Sequence, residues 1–376
     1  MVAVASVVVT VATVAGLVAA GDRDRGSDRA RPEVTGTPRV ERLPVLPAPS
    51  ATPSPTASPL IRPTPRRTVT PTPAPRTTEP RPRSAPAGGR LYRHPESQVL
   101  DWVRDHPDDP RGDLIASRIA DRPAAVWFAD HSPDTLTGRV RAVTSGGAGA
   151  GRVPVLVAYA VPDRDCGGHS QGGAPDLAAY GAWIDAFAAG LGSGEVVVIL
   201  EPDSIAQSDC LSEGQRADRF AALARAGRVL KSANPRARVY YDAGHSGWHT
   251  PAEQAALLRQ AGAASPASSD GIFSNVSNFH HTADEIAYDR RVLDALGGPD
   301  SLGAVIDTSR NGNGAPPDGE WCDPAGRRIG RAPTLDTGED RIDAYLWVKL
   351  PGESDGCKGT PGTFTPSYAY DLARGV

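Results

Sequence analysis

Residues 153–166 read VPVLVAYAVPDRDC. The apolar run from Val153 to Val161 suits a strand buried on both faces, and it ends abruptly in Asp163, Arg164, Asp165 and Cys166. The pattern returns at residues 196–210, VVVILEPDSIAQSDC, with Glu201 and Asp203 closing the apolar run and Cys210 following. Solvated strand ends, and the preference of Asp for turns, account for one such ending. A pair of catalytic carboxylates on adjacent strands accounts for both.

The same beat runs through the C-terminal part of the chain. AAVWFAD, EVVVILEPD, ARVYYDAGH, GIFSNVSNF, LGAVIDTSR and DAYLWVKLPGE are further apolar runs that turn polar or aromatic at their ends. Between several of them lie stretches with apolar residues at helical spacing, among them 176–191, 213–233 and 283–296. Strand alternating with helix implies parallel strands joined by right-handed crossovers. Seven strands predict a distorted, TIM-like (β/α) barrel, not fully closed, in a single α/β domain. In such a barrel all the C-terminal strand ends share one face, which carries the active site. On that face the sequence places Trp127 and Asp130, Tyr159 and Asp165, Glu201 and Asp203, and Asp242, His245 and Trp248. The later strands add Asn275 and Asn278, Asp307 and Arg310, and Lys349, Glu353 and Asp355.

The rest of the chain has a different character. Residues 1–21 form an apolar run without Lys or Arg before it, long enough for a secretory signal or an uncleaved membrane anchor. Residues 22–89 hold 16 of the 36 prolines in a Pro/Thr/Ser/Arg tract. Such a tract cannot bury enough apolar surface to offset its ordering entropy, and reads as a disordered, extended linker. Residues 90–376 form the catalytic domain. Export also favours pairing of the four cysteines, Cys166, Cys210, Cys322 and Cys357, which allow three connectivities.

The net charge of −4 gives no basic field for nucleic acid. The domain has no Gly-rich phosphate loop, no nucleophile-elbow motif and no metal-ligand spacing, so neither a metal nor a cofactor is expected. Carboxylates and tryptophans are what the strand ends have in excess. Flat indole rings pack on the C–H faces of sugars, and carboxylates in opposed environments are the equipment of glycoside hydrolysis.

On these residues the chain resembles glycoside hydrolase family 6, the inverting β-1,4-glucanases, and within it actinobacterial endoglucanases. YAVPDRDC and VVVILEPDSI look like the two signature motifs. YYDAGHSGWH, NVSNF, VIDTSRNGNG, EWCDPAGRRIG and DAYLWVKLPGESDGC follow in the family's order. The resemblance implies that Asp203 is the general acid, that Asp165 raises its proton affinity and helps hold the water, and that Asp355 stands at the disputed base position. Tyr159 would lie beneath the distorted sugar, with Trp127, His245, Trp248, Asn278, Trp321, Lys349 and Glu353 at sugar-binding positions. It also implies the disulfides Cys166–Cys210 and Cys322–Cys357.

One stretch departs from the pattern. Where the family has a water-positioning serine six residues past Asp165, this chain has Gln171, with Ser170 just before it. The expected activity is that of an exported, monomeric endo-β-1,4-glucanase, secreted or tethered at the cell surface. The few residues after Cys357 favour endo action over a cellobiohydrolase, whose cleft is covered by long insertions there. An inactive glucan-binding surface protein is the alternative that Gln171 raises. A retaining enzyme using Glu201 is another, and would require a shorter carboxyl separation, about 5–5.5 Å. Asp203 could also be a simple helix cap, and Arg164 is expected to pair with a local carboxylate.

Overall fold

The computed structural model describes residues 91–168 and 170–375. The expectations for residues 1–21 and 22–89 therefore lie outside the described residues. All seven predicted strands form: β1 (Val126–Phe128), β2 (Val155–Ala158), β3 (Val196–Leu200), β4 (Ala237–Asp242), β5 (Gly271–Ser274), β6 (Gly303–Asp307) and β7 (Ile342–Leu346). They make one sheet in the order β1-β2-β3-β4-β5-β6-β7, and every neighbouring pair is parallel. The helices are α1 (Gln98–Asp105), α2 (Gly112–Ile115), α3 (Pro133–Gly149), α4 (Leu177–Ala189), α5 (Glu213–Ala233), α6 (Pro251–Gln260), α7 (Thr282–Leu296) and α8 (Pro366–Arg374).

Alternation of side chains along each strand divides the core in two. Val155, Val157, Val197, Ile199, Tyr240, Phe273, Val305, Ala344 and Leu346 point to one face and pack on each other. Leu156, Ala158, Val198, Leu200, Val239, Tyr241, Ile272, Ala304 and Ile306 point to the other, against residues of α3, α4, α5, α6 and α7. Both faces are buried, which is why the strands read as unbroken apolar runs. The packing against α5 is close enough to require Gly227, since a Cβ there would collide with the Tyr241 hydroxyl and the Ser268 carbonyl.

The curl of the sheet brings its edges together. Ala125 N donates to the Trp347 carbonyl at 2.9 Å, and the Trp127 indole N–H to the Val348 carbonyl at 2.7 Å. Beside this seam, residues of α1, α2 and α8 pack with Trp347 and Leu350 in a third apolar cluster. Trp183 and Trp347 are buried.

Helix starts carry the signals that the chemistry of orphan N–H groups demands. Ser212 with Gln215 forms a capping box on α5, and Thr250 with Glu253 forms one on α6. Asp176 caps α4, accepting from Ala179 N at 2.7 Å. Asp203 is not a cap: turns follow it, and the next helix is the one capped by Ser212. Disulfides join Cys166 to Cys210 and Cys322 to Cys357. The first ties the loop leaving β2 to the loop leaving β3, so both signature motifs are held by one covalent link.

Candidate active site

At the C-terminal ends of the strands the backbone leaves ordinary conformations. Asp163, Asp165 and Cys166 after β2, Glu201 and Asp203 after β3, and Asn275 and Ser277 after β5 all have φ between 46° and 67°. Asp and Asn tolerate this region best, which suits four of the seven, yet each such residue costs on the order of 1–3 kcal/mol. Strain of this kind persists only where surrounding bonds over-determine the loop.

Those bonds come from buried acids at the strand ends. Glu201 is fully buried and accepts from Ala160 N at 3.0 and 2.9 Å and from Val161 N at 3.0 Å, fastening β3 to the end of β2. Asp242 at the end of β4 accepts from Ile205 N at 3.1 Å, Ala206 N at 2.8 Å and Gly244 N at 2.9 Å, fixing the loop that carries Asp203. Asp307 at the end of β6 accepts from Ser309 N and Lys349 N, at 2.9 and 3.0 Å. Asp323 accepts from Asp355 N at 2.7 Å, Cys357 N at 3.0 Å and Lys358 N at 2.8 Å. From α5, the buried Arg219 donates to the Pro162 and Asp163 carbonyls. Among the described residues Arg164 makes no carboxylate pair. It donates to the Ser170, Ala129 and Tyr159 carbonyls and lies 4.3 Å over the Tyr159 ring.

Glu201 allows a prediction about stability. Burial pushes its carboxyl up to about 7, against the pull of the Val161 and Ala160 N–H groups. The raised folded-state value means that its contribution is fully present below the unfolded value, near pH 4.5, and is lost as pH rises through about 7. In that window the folded state keeps a proton that the unfolded chain has released. Stability should therefore fall with a slope of about 1.4 kcal/mol per pH unit from this group. Denaturant titrations from pH 4 to 8 on wild type and Glu201→Gln should show this slope in the difference between the two. Parallel pH curves would count against it.

The acids that do not stitch loops face a cleft of about 1220 Å³ at the barrel mouth. It is lined by Asp165, Asp203, Asp355 and Tyr159, by Trp127, His245, Trp248, Asn278, Trp321, Lys349 and Glu353, and by Ser170 and Gln171. The structure thus brings together every residue that the sequence assigned to catalysis, sugar binding or water positioning. Glu201 does not line it. Its place behind the β2 end removes the basis for a retaining enzyme built on that residue.

The Asp203 carboxyl is shifted toward its protonated form. Burial raises it well above the ordinary carboxyl range, and the charges of Asp242, Asp165 and Asp355 add to this, with Lys349 opposing. Asp165 is anchored in turn, its Oδ2 accepting from Ser170 N at 2.6 Å. Asp355 Oδ2 accepts from the fully buried Arg310 at 2.6 Å and from Asp323 N at 3.1 Å, and Lys349 Nζ lies 3.4 Å from Oδ1. Glu353, pushed up to about 7 by burial against the charges of Lys349 and Arg310, receives a hydrogen bond from Gln98 at 3.3 Å. Trp127 meets Tyr159 edge to face at 5.3 Å, and His245 lies 5.2 Å from Trp248. Trp321 stands 53% exposed, an indole face offered at the rim.

Four participants carried no role in the sequence reading. Asp242 and Arg310 appeared only as strand-end residues, and Asp323 lay unremarked inside EWCDPAGRRIG. His280, which stacks on His245 at 4.2 Å, follows directly on NVSNF. The doubled histidine after that motif was the available signal.

Comparison with known proteins agrees with the geometry. The sequence profile described as Glycosyl hydrolases family 6 matches residues 89–372. Endoglucanase 1 of Streptomyces sp. (strain KSM-9) is 54% identical over 286 residues, 76% of this chain and 78% of that one. Endoglucanase A of Thermobispora bispora is 49% identical over 284 residues, 75% of this chain and 61% of its own length. Among solved structures, the endoglucanase Cel6 from Mycobacterium tuberculosis, in complex with a methyl-cellobiosyl thio-cellobioside, superposes with a TM-score of 0.71. It is 39% identical and matches 77% of this chain and 98% of that chain. A barrel of seven parallel strands, a cleft edged with carboxylates and indoles, and this degree of likeness lead to one statement: the chain belongs to glycosyl hydrolases family 6.

Proposed function

We propose that the chain is an endo-β-1,4-glucanase that hydrolyses soluble or cellulose-like glucan with inversion at the anomeric carbon. The observation that carries this is Asp203: a carboxyl at the centre of a sugar-sized cleft, shifted toward its protonated form by burial and by three neighbouring acids. A protonated acid can deliver its proton to the leaving glycosidic oxygen, and the same carboxyl ionised could not. Asp165 acts through Asp203 and, with Ser170 and Gln171, faces the water. Asp355 takes the base position, where Arg310 and Lys349 fix its charge.

The sugar is held by indole faces and buried polar groups: Trp127, Trp248 and Trp321 for packing, His245, Asn278, Lys349 and Glu353 for hydroxyls. Endo action is supported by the names of the actinobacterial relatives. The composition of residues 1–89 supports export of a monomer, with residues 1–21 as signal or anchor, residues 22–89 as spacer and residues 90–376 as the catalytic domain. Among the described residues no helix is long and apolar enough to cross a membrane.

The test is the anomeric form of the first product released from a soluble cello-oligosaccharide, followed by proton NMR during the first turnovers. The α-anomer is expected. A β-anomer would overturn inversion, and binding without any cleavage would make the chain a glucan-binding protein.

A further inference from the structure

The cleft holds a histidine pair of which the proposed reaction uses only one member. The ring of His280 lies nearly parallel to that of His245, with centroids 4.2 Å apart and planes 19° apart. Its backbone is locked from below: His280 N donates to Asn275 Oδ1 at 3.0 Å, and its carbonyl accepts from Asn275 at 3.3 Å and Asn311 at 2.9 Å. Both asparagines are buried. The stack leaves no room beside it, since a Cβ at Gly247 would lie 2.7 Å from His280 Cε1. Gly247 N, brought in against the pair, donates to His245 Nδ1 at 3.2 Å. A donor aimed at Nδ1 needs a lone pair there, so the proton of the neutral His245 ring sits on Nε2.

We propose that His280 is a positioning residue, whose ring fixes the plane of His245, held as its Nε2–H tautomer by Gly247 N, so that this N–H is presented to a glucan hydroxyl. This rests on the reading that the cleft binds β-1,4-glucan through His245. The surroundings agree. His245 is pushed down to about 3 by burial, with His280 and His249 adding to the effect, so its ring stays neutral throughout the working range. Besides those two, the titratable groups near the pair are His281 and Asp284, which face His280, and Glu285, which accepts from Ser246 N at 2.9 Å. Taking away the His280 ring opens one face of His245 to water, and its proton affinity climbs toward that of an ordinary histidine, near pH 6.5.

The experiment compares His280→Ala and His280→Phe with wild type, measuring KM and kcat on one soluble cello-oligosaccharide from pH 5 to 8. Loss of one well-placed hydrogen bond corresponds to a KM rise of about 5–10-fold for His280→Ala, with kcat within about twofold. That KM ratio to wild type should be larger at pH 5.5 than at pH 8, because protonation at Nδ1 sets a second donor against Gly247 N and turns the Nε2–H of an unstacked His245 away from the sugar. His280→Phe keeps a flat ring on His245 and should recover most of the loss. Unchanged KM in His280→Ala, a KM ratio independent of pH, or a loss in His280→Phe as large as in His280→Ala would each overturn the proposal. If His280→Ala does not fold, His280→Phe decides alone, and a KM rise above about fivefold in it counts against stacking. A wild type that neither binds nor cleaves β-1,4-glucan overturns the parent reading. A wild type that cleaves, with His280→Ala indistinguishable from it, overturns only this inference.

Discussion

Replacing Asp203 by asparagine is expected to leave the fold intact and to cut hydrolysis of unactivated β-1,4-glucan by about 10²–10⁴-fold. The argument begins at the end of β3, where the chain turns through Glu201 and Asp203 with positive φ and is held there by Asp242. The backbone bonds that build this turn do not involve the Asp203 carboxyl, so an amide of the same shape should fit. What the amide lacks is the proton. A glucosyl leaving group departs as a strongly basic alkoxide unless it is protonated, whereas a nitrophenolate departs unaided. The loss should therefore be large on cello-oligosaccharides and much smaller on an aryl cellobioside or cellotrioside with a good leaving group. The direction of the pH profile follows from the same group. Wild-type kcat falls as pH rises through the raised value of Asp203, and this alkaline limb should vanish from the residual activity of the variant. Equal losses on both substrate types, measured as kcat/KM, would remove Asp203 from the acid role.

What could be read from the sequence divides along physical lines. The strands were legible because a parallel sheet buried on both faces writes itself as unbroken apolar runs, and the helices because their apolar residues recur at helical spacing. The site was legible as a face, since barrel topology puts all strand ends together whatever their contacts. The division of labour among the strand-end acids was not legible. Glu201 and Asp203 stand two residues apart in the same motif, yet one accepts N–H bonds behind the cleft and the other faces it. The difference lies in which way the turn points each side chain, and that depends on Asp242, some forty residues further on. Asp323 stitches a loop whose residues lie 31–35 positions away, and no local pattern marks it. Arg164 was expected to find a carboxylate. Three backbone carbonyls, just past β1, just past β2 and in the loop after Asp165, were nearer, and a guanidinium with five donors suits them. The meeting of the β1 and β7 edges depends on the summed curl of seven strands, which no single segment encodes.

The buried cation at the centre of the site supports the second large expected effect. Arg310 follows β6, is fully buried, and is surrounded by the Asp355 carboxylate at 2.6 Å, the Ser277 carbonyl, the Tyr368 hydroxyl at 3.4 Å and the face of Phe279 at 4.4 Å. Arg310→Met keeps much of the apolar stem but leaves Asp355 buried with only Lys349, 3.4 Å from Oδ1, as a counter-charge. Breaking one side of a buried ion pair costs about 3–5 kcal/mol, because the remaining charge is uncompensated. Asp355 should escape that cost in part by taking up a proton, so the variant should be relatively more stable at low pH than at neutral pH, and inactive where Asp355 is protonated. Replacing both charges, in Arg310→Met with Asp355→Asn, should recover a large part of the lost stability while activity stays low, since an uncharged, well-packed pair is tolerated where a lone charge is not. Denaturant unfolding of wild type, both single variants and the double variant closes the cycle, and a coupling of more than about 1 kcal/mol is expected for groups in direct contact. If Arg310→Met costs less than about 1 kcal/mol, or the double variant is no more stable than the single one, Arg310 is not the counter-charge that lets an ionised Asp355 exist inside this barrel.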